Sequence, residues 1–101
     1  MTLPLRPLGR TGLSVTELGF GGAPLGNLFR PLPDEAARAT LKAAEEGGFG
    51  YYDTAPFYGF GLSERRLGDA LRARKDVVLS TKVGRLLTPV PGPLDQSKVR
   101  H

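Results

Sequence analysis

Three short apolar runs, ending near Gly21, Asp53 and Lys82, constrain the fold of this chain more than any other feature. Their ends recur at about 30 residues, the length of one strand, one helix and their connections. The runs are "LGFGGAP" (18–24), "FGYYDT" (49–54) and "DVVLSTKVG" (76–84), and a helical pattern fills each interval. "PDEAARATLKAAEEGG" (33–48) carries Ala37, Leu41 and Ala44 at helical spacing. Pro33 suits a first helical turn, Asp34 and Glu35 suit the positive end of the helix dipole, and Gly47–Gly48 supply the stop. "SERRLGDALRAR" (63–74) sets Leu67, Ala70 and Leu71 on one stripe behind Ser63, a candidate N-cap. Gly68 inside it costs about 1 kcal/mol against alanine, which argues for close packing of this helix on the sheet. The third run is continuously apolar, the pattern of a strand buried on both faces.

Strands alternating with helices pair in parallel through right-handed crossovers. Ahead of them, "LRPLGRTGLSVTEL" (5–18) holds two apolar runs around a Gly-containing turn and predicts a hairpin. Behind them, "RLLTPVPGPLDQSKVRH" (85–101) reads as a Pro-rich loop that reaches no new element. Two architectures fit this order: an open doubly wound sheet, or the opening of a (β/α)8 barrel.

At 101 residues the chain holds at most one ordinary domain. No apolar stretch approaches the roughly 18 residues that suggest a membrane span. The start, "MTLPLRPLGRTG", has no signal-peptide h-region, so a cytoplasmic protein with no membrane partner is expected. With no cysteine, the chain forms no disulfide, thiolate nucleophile or zinc–thiolate site. Its single histidine, His101, excludes a multi-His metal site, and no metal is expected. The net charge is +4, but the cations are scattered. The densest group, Arg65–Arg66 and Arg72–Arg74–Lys75, has no interleaved aromatic. It reads as a solvated helix face and not as a nucleic-acid interface. A modest positive field suits an anionic ligand such as a phosphorylated cofactor.

In either architecture function collects at the carboxyl ends of the strands. Gly21, Gly22, Asp53, Tyr58 and Lys82 lie there. Paired parallel strands lie about 4.8 Å apart, so Asp53 and Lys82 can meet as an ion pair. Tyr58, five residues past Asp53, can fold back over them. The trio has a chemical use. Reducing a carbonyl by hydride requires a proton for the developing alkoxide. A tyrosine hydroxyl ordinarily titrates near 10 and is a weak acid at neutral pH. A neighbouring ammonium favours the phenolate, and a carboxylate keeps that ammonium charged and in place. Tyr58 is then the general acid, Lys82 its tuner and Asp53 the positioner. The glycines allow a cofactor or substrate close to the backbone. Taken singly each residue has a plainer reading: Asp53 an Asx turn, Tyr58 a half-buried packing residue. Lys82 is the odd one, because lysine is rarely buried without a partner. Phosphate cradles are not supported. A G-x-G-x-x-G started at Gly19 has Pro24 in its sixth place, one started at Gly59 has Glu64, and no Walker-type sequence exists.

"LGFGGAPLG", "YYDTAPFYGFGLSERRLGDAL" and "VVLSTKVGR" together resemble the aldo-keto reductases. "STKVGRLLTP" is most similar to their subgroup acting on free sugars, the threo-aldose and fucose 1-dehydrogenases. The resemblance implies a (β/α)8 barrel, NADP or NAD as cofactor, and reversible conversion of a small carbonyl compound or sugar. It implies a catalytic Asp, Tyr, Lys and His, of which Asp53, Tyr58 and Lys82 match the first three. It also implies that Gly21, Gly22 and Asp53 lie against the cofactor and that the hairpin plugs the bottom of the barrel. The fourth role belongs at the end of a fourth strand that this chain does not reach, and it is not given to His101. Such a barrel takes about 250 residues. Residues 1–101 therefore read as a truncated aldo-keto reductase domain, the first three barrel strands, inactive alone. The alternative is a non-catalytic binding module from a short reading frame, whose exposed parallel edges invite pairing. A complete flavodoxin-like domain needs further βα units, for which 85–101 has no pattern.

Overall fold

The structure, a computed structural model, describes residues 2–88. Strands β1 (Leu5–Pro7) and β2 (Ser14–Thr16) form an antiparallel hairpin, with Leu5 opposite Thr16 and Pro7 opposite Ser14. Strands β3 (Phe20–Gly21), β4 (Tyr51–Asp53) and β5 (Val78–Ser80) form one parallel sheet in that order. Helices α1 (Asp34–Glu46) and α2 (Leu62–Leu71) make the crossovers, and a 3₁₀ turn at Ala23–Gly26 follows β3. The predicted hairpin, strand order and parallel pairing are all present. Among the described residues no helix is long and apolar enough to cross a membrane.

The register aligns Phe20, Tyr52 and Leu79 in one row and Gly21, Asp53 and Ser80 in the next. Successive strand residues point to opposite faces, so the two rows separate packing from chemistry. Tyr52 is fully buried in the core with Leu25, Leu67, Leu71 and the α1 residues Ala37, Leu41 and Ala44. Its ring lies 5.4 Å from that of Phe20. Burying each leucine contributes roughly 1.5–3 kcal/mol. The next row opens at the carboxyl end of the sheet.

The structure corrects several local expectations. Pro33 precedes α1 as its N-cap in extended conformation, because proline cannot donate and its ψ of 151° is not helical. Ser63 is not the N-cap of α2; Gly61 is, with φ of 100°. Ser63 lies one residue inside the helix, fully buried in a polar network. The inward stripe is Ser63, Leu67 and Leu71, while Ala70 faces solvent. A side chain at Gly68 would meet nothing within 4 Å, so Gly68 does not bring α2 close to the sheet. The third strand is shorter than its apolar run and is not buried on both faces. Leu79 is 56% exposed, because the helices leave its row uncovered on β5.

The basic residues are also less uniform than a solvated face. Arg66, with a side chain 11% exposed, donates to the carbonyls of Leu25 (2.9 Å) and Leu32 (2.7 Å) and to Asp34 (2.8 Å). It ties α2 to the 3₁₀ turn and to the start of α1. Arg74 donates to Asp76 at 3.0 Å and to the Tyr52 hydroxyl at 3.4 Å. At the opposite end of the sheet, Thr16 donates to the Leu18 carbonyl at 2.8 Å and accepts from the Gly50 amide at 3.3 Å. That clasp fastens the hairpin to the foot of β4. His101 and most of the Pro-rich loop lie outside the described residues.

Candidate active site

Asp53 ends β4, and register places it beside Ser80, the last residue of β5. Past Ser80 the chain stays extended enough for Lys82 to turn to the same side. Lys82 Nζ donates to Asp53 Oδ2 at 2.7 Å and to the Thr54 carbonyl at 2.9 Å. Ser80 Oγ donates to the other carboxylate oxygen, Asp53 Oδ1, at 2.9 Å. Thr81, between them, points away and donates to Glu64 of α2 at 2.8 Å. Partial burial pushes the Asp53 carboxyl up, but hydrogen bonds from Lys82 and Ser80 and the Lys82 charge outweigh it, and the carboxyl is held below 3.8. The hydrogen bond to Asp53 raises Lys82 above 10.5 against a smaller desolvation effect, with further help from Tyr58. Both side chains stay part exposed, 41% for Asp53 and 47% for Lys82.

Tyr58 is delivered by a tight loop between β4 and α2. Gly59, Phe60 and Gly61 take φ of 72°, 54° and 100° in succession. Glycine adopts this left-handed region without strain; Phe60 occupies it as a non-glycine exception. Amides of Tyr58, Gly61 and Ser63 close the loop on the carbonyls of Ala55 (3.1 Å), Pro56 (2.9 Å) and Tyr58 (3.2 Å). Gly26 and Gly59 touch backbone to backbone beneath it. A Cβ on Gly26 would collide with the Tyr58 carbonyl carbon, and one on Gly59 would stand 2.5 Å from the Gly26 oxygen. The result sets the Tyr58 ring centre 5.2 Å from Lys82 Nζ.

Asp53, Tyr58 and Lys82 thus converge at the carboxyl end of the sheet. Tyr58 and Lys82 border a cavity of about 290 Å³ whose walls include Ala55, Pro56, Phe57 and Val83, and Asp53 reaches it through Lys82. Arg85 closes its rim, with its guanidinium 4.3 Å from the centre of the Phe57 ring. An acid–base hydroxyl, a charged amine and a carboxylate beside an apolar wall can protonate or deprotonate an oxygen on a small organic molecule.

The two glycines differ. Gly21 is exposed, with nothing within 4 Å of where its Cβ would be, so its face is open. Gly22 is buried, and a Cβ there would stand 2.7 Å from the Asp53 carbonyl and 2.8 Å from Ser63 Oγ. Its amide donates to that carbonyl at 2.8 Å and its own carbonyl accepts from Ser63 at 2.7 Å. Close packing inside the protein by itself requires glycine at position 22. Sequence reasoning also missed Ser80 and Arg85. Strand alternation, which sets Ser80 on the Lys82 side, carries the signal for the first. Among the described residues no three His, Asp or Glu side chains gather as a metal site.

The Aldo/keto reductase family model matches residues 17–100. The chain is 56% identical over 82 residues to a D-threo-aldose 1-dehydrogenase from Pseudomonas sp, covering 79% of this chain and 25% of that protein. It is 54% identical over 84 residues to a pyridoxal 4-dehydrogenase from Microbacterium luteolum, covering 82% and 25%. Among solved structures it superposes on the holo form of an aldo-keto reductase from Bacillus halodurans, AKR11C1. The TM-score is 0.76 at 38% identity, covering 85% of this chain and 28% of that one. The chain spans about a quarter of the length of the curated relatives it matches.

Proposed function

The chain belongs to the aldo/keto reductase family, and from that premise we propose that it supplies three catalytic residues of an oxidoreductase that interconverts a small carbonyl compound and its alcohol, with NADP or NAD as cofactor. The observation that carries the proposal is the meeting of Asp53, Lys82 and Tyr58 at one end of a parallel sheet. A bound nicotinamide cofactor supplies or accepts the hydride. The residues fit such a cofactor at its reactive end: Gly21 leaves an open face beside the part-exposed Asp53 carboxylate. Gly22 supports that face from within. Tyr58 gives a proton to the carbonyl oxygen on reduction and takes it from the hydroxyl on oxidation. Lys82 stabilises the phenolate between those events, and Asp53 holds Lys82.

The likeness to the D-threo-aldose 1-dehydrogenase supports an aldose as substrate, oxidised at its carbonyl-derived carbon to a lactone. We further propose that these strands open a (β/α)8 barrel and that residues 1–101 are a truncated domain without turnover of their own. A protein of the relatives' length that carries these residues should oxidise an aldose with NADP or NAD. Residues 1–101 alone should not. If the longer protein turns over no aldose or other carbonyl compound with either cofactor, the reading is wrong.

A further inference from the structure

We infer that Ser80 is a positioning residue of this site, which holds the Asp53 carboxylate so that one oxygen is reserved for Lys82. Its meaning for catalysis rests on the function proposed above; its geometry does not. The carboxylate receives a separate donor on each oxygen, Ser80 on Oδ1 at 2.9 Å and Lys82 on Oδ2 at 2.7 Å. A carboxylate held at one oxygen turns about its terminal bond, whereas one held at both does not. Terminal torsions of this kind are otherwise broad. Ser80 sits directly across from Asp53 in the parallel register, so the strand pairing itself delivers the hydroxyl. The same alternation that brings Ser80 and Lys82 to one side sends Thr81 to Glu64 on the other.

The hold passes on to Lys82. Its ammonium has three donors. Asp53 Oδ2 and the Thr54 carbonyl take two at 2.7 and 2.9 Å. With two directions fixed the third is fixed as well, on an ammonium 5.2 Å from the Tyr58 ring centre. Without Ser80 the carboxylate turns, the first of those bonds wanders, and the ammonium loses its aim. The charged or titratable groups around Asp53 are Lys82 and Tyr58, with Glu64 engaged by Thr81.

The test is carbon-detected NMR titration of the Asp53 carboxyl and of the Lys82 side chain in the protein and in Ser80→Ala, Ser80→Thr and Thr81→Val. Ser80→Ala should move the Asp53 midpoint upward and the Lys82 midpoint downward. Ser80→Thr should restore both, and Thr81→Val should leave both unmoved. In the unsubstituted protein the Asp53 β-protons should report one rotamer. Unchanged midpoints in Ser80→Ala, or an averaged Asp53 rotamer in the unsubstituted protein, overturn the inference, the second even if Ser80→Ala does not fold. In the catalytic protein Ser80→Ala should lower kcat with KM held, and Ser80→Thr should recover it. Shifted midpoints, with no turnover in a protein of the relatives' length that carries these residues, would uphold the positioning and reject the proposed function.

Discussion

Lys82 Nζ lies 2.7 Å from Asp53 Oδ2 across 29 residues of sequence, and the pair stands at the open end of the sheet with both side chains nearly half exposed. Such exposed pairs contribute about 0–1 kcal/mol to stability, and the pKa shifts say when. Asp53 is held below 3.8, so its contribution is present above that value and is lost as pH falls through the lowered one. Lys82 is held above 10.5, so its contribution is fully present below 10.5 and is lost as pH rises through the raised one. The thermal midpoint of the protein should therefore exceed that of Asp53→Asn by a constant amount between these limits. The gap should close beyond either limit. A gap that stays the same in strong acid would show that the pair adds no pH-dependent stability.

Tyr58→Phe in the catalytically complete protein should lower turnover by about 10²–10⁴, the usual worth of a general acid–base group. The ring contact with Lys82 survives the change, so folding and cofactor affinity should hold. Lys82→Met should also slow turnover. Rates are to be read only after thermal transitions show each variant folded. A folded Tyr58→Phe that keeps most of its rate would make Tyr58 a packing residue.

Arg66→Ala should destabilise the protein by about 2–4 kcal/mol, because it strips donors from the Leu25 and Leu32 carbonyls and from Asp34 together. Arg66→Lys should recover little, since a single ammonium cannot reproduce the planar fork. Urea unfolding measures both. A loss under about 0.5 kcal/mol, the usual range for an ordinary surface substitution, would mean that Arg66 is only a solvated side chain.

Two glycine substitutions should act in opposite directions. Gly68→Ala should stabilise the protein by about 0.4–1 kcal/mol, since the site is inside α2 with open space for a methyl group. Gly26→Ala should destabilise by more than that and displace Tyr58, because its Cβ would meet backbone, which cannot step aside as a flexible side chain does. Chemical denaturation ranks them. Equal effects would dissolve the distinction between the two sites.

The elements were legible because their signals are local and repeated. The spacing of Gly21, Asp53 and Lys82 was enough to predict that the last two meet, since parallel pairing brings strand ends together. What stayed hidden depends on contacts between elements. Ser63 looks like a cap in sequence, yet it turns inward to Thr54 at 2.7 Å and to the Gly22 carbonyl. Arg66 looks like its exposed neighbour Arg65 until the Leu25 and Leu32 carbonyls arrive from another part of the chain. Leu79 belongs to an apolar run, but it stands at the β5 end of its row, which the helices leave uncovered while they bury Tyr52. Glycine at position 22 suggested a ligand, and only the neighbouring Asp53 carbonyl and Ser63 hydroxyl show what crowds it.

The clasp that Thr16 makes with Gly50 gives the sheet a sealed end and a working end. The hairpin is fastened at the first, and the Asp53–Lys82 pair stands at the second. A change of side chain in a working-end loop therefore leaves the fastening at the foot of β4 in place. The same strands thus carry their anchor and their reactive side chains at opposite tips, one hydrogen-bonded shut and the other open.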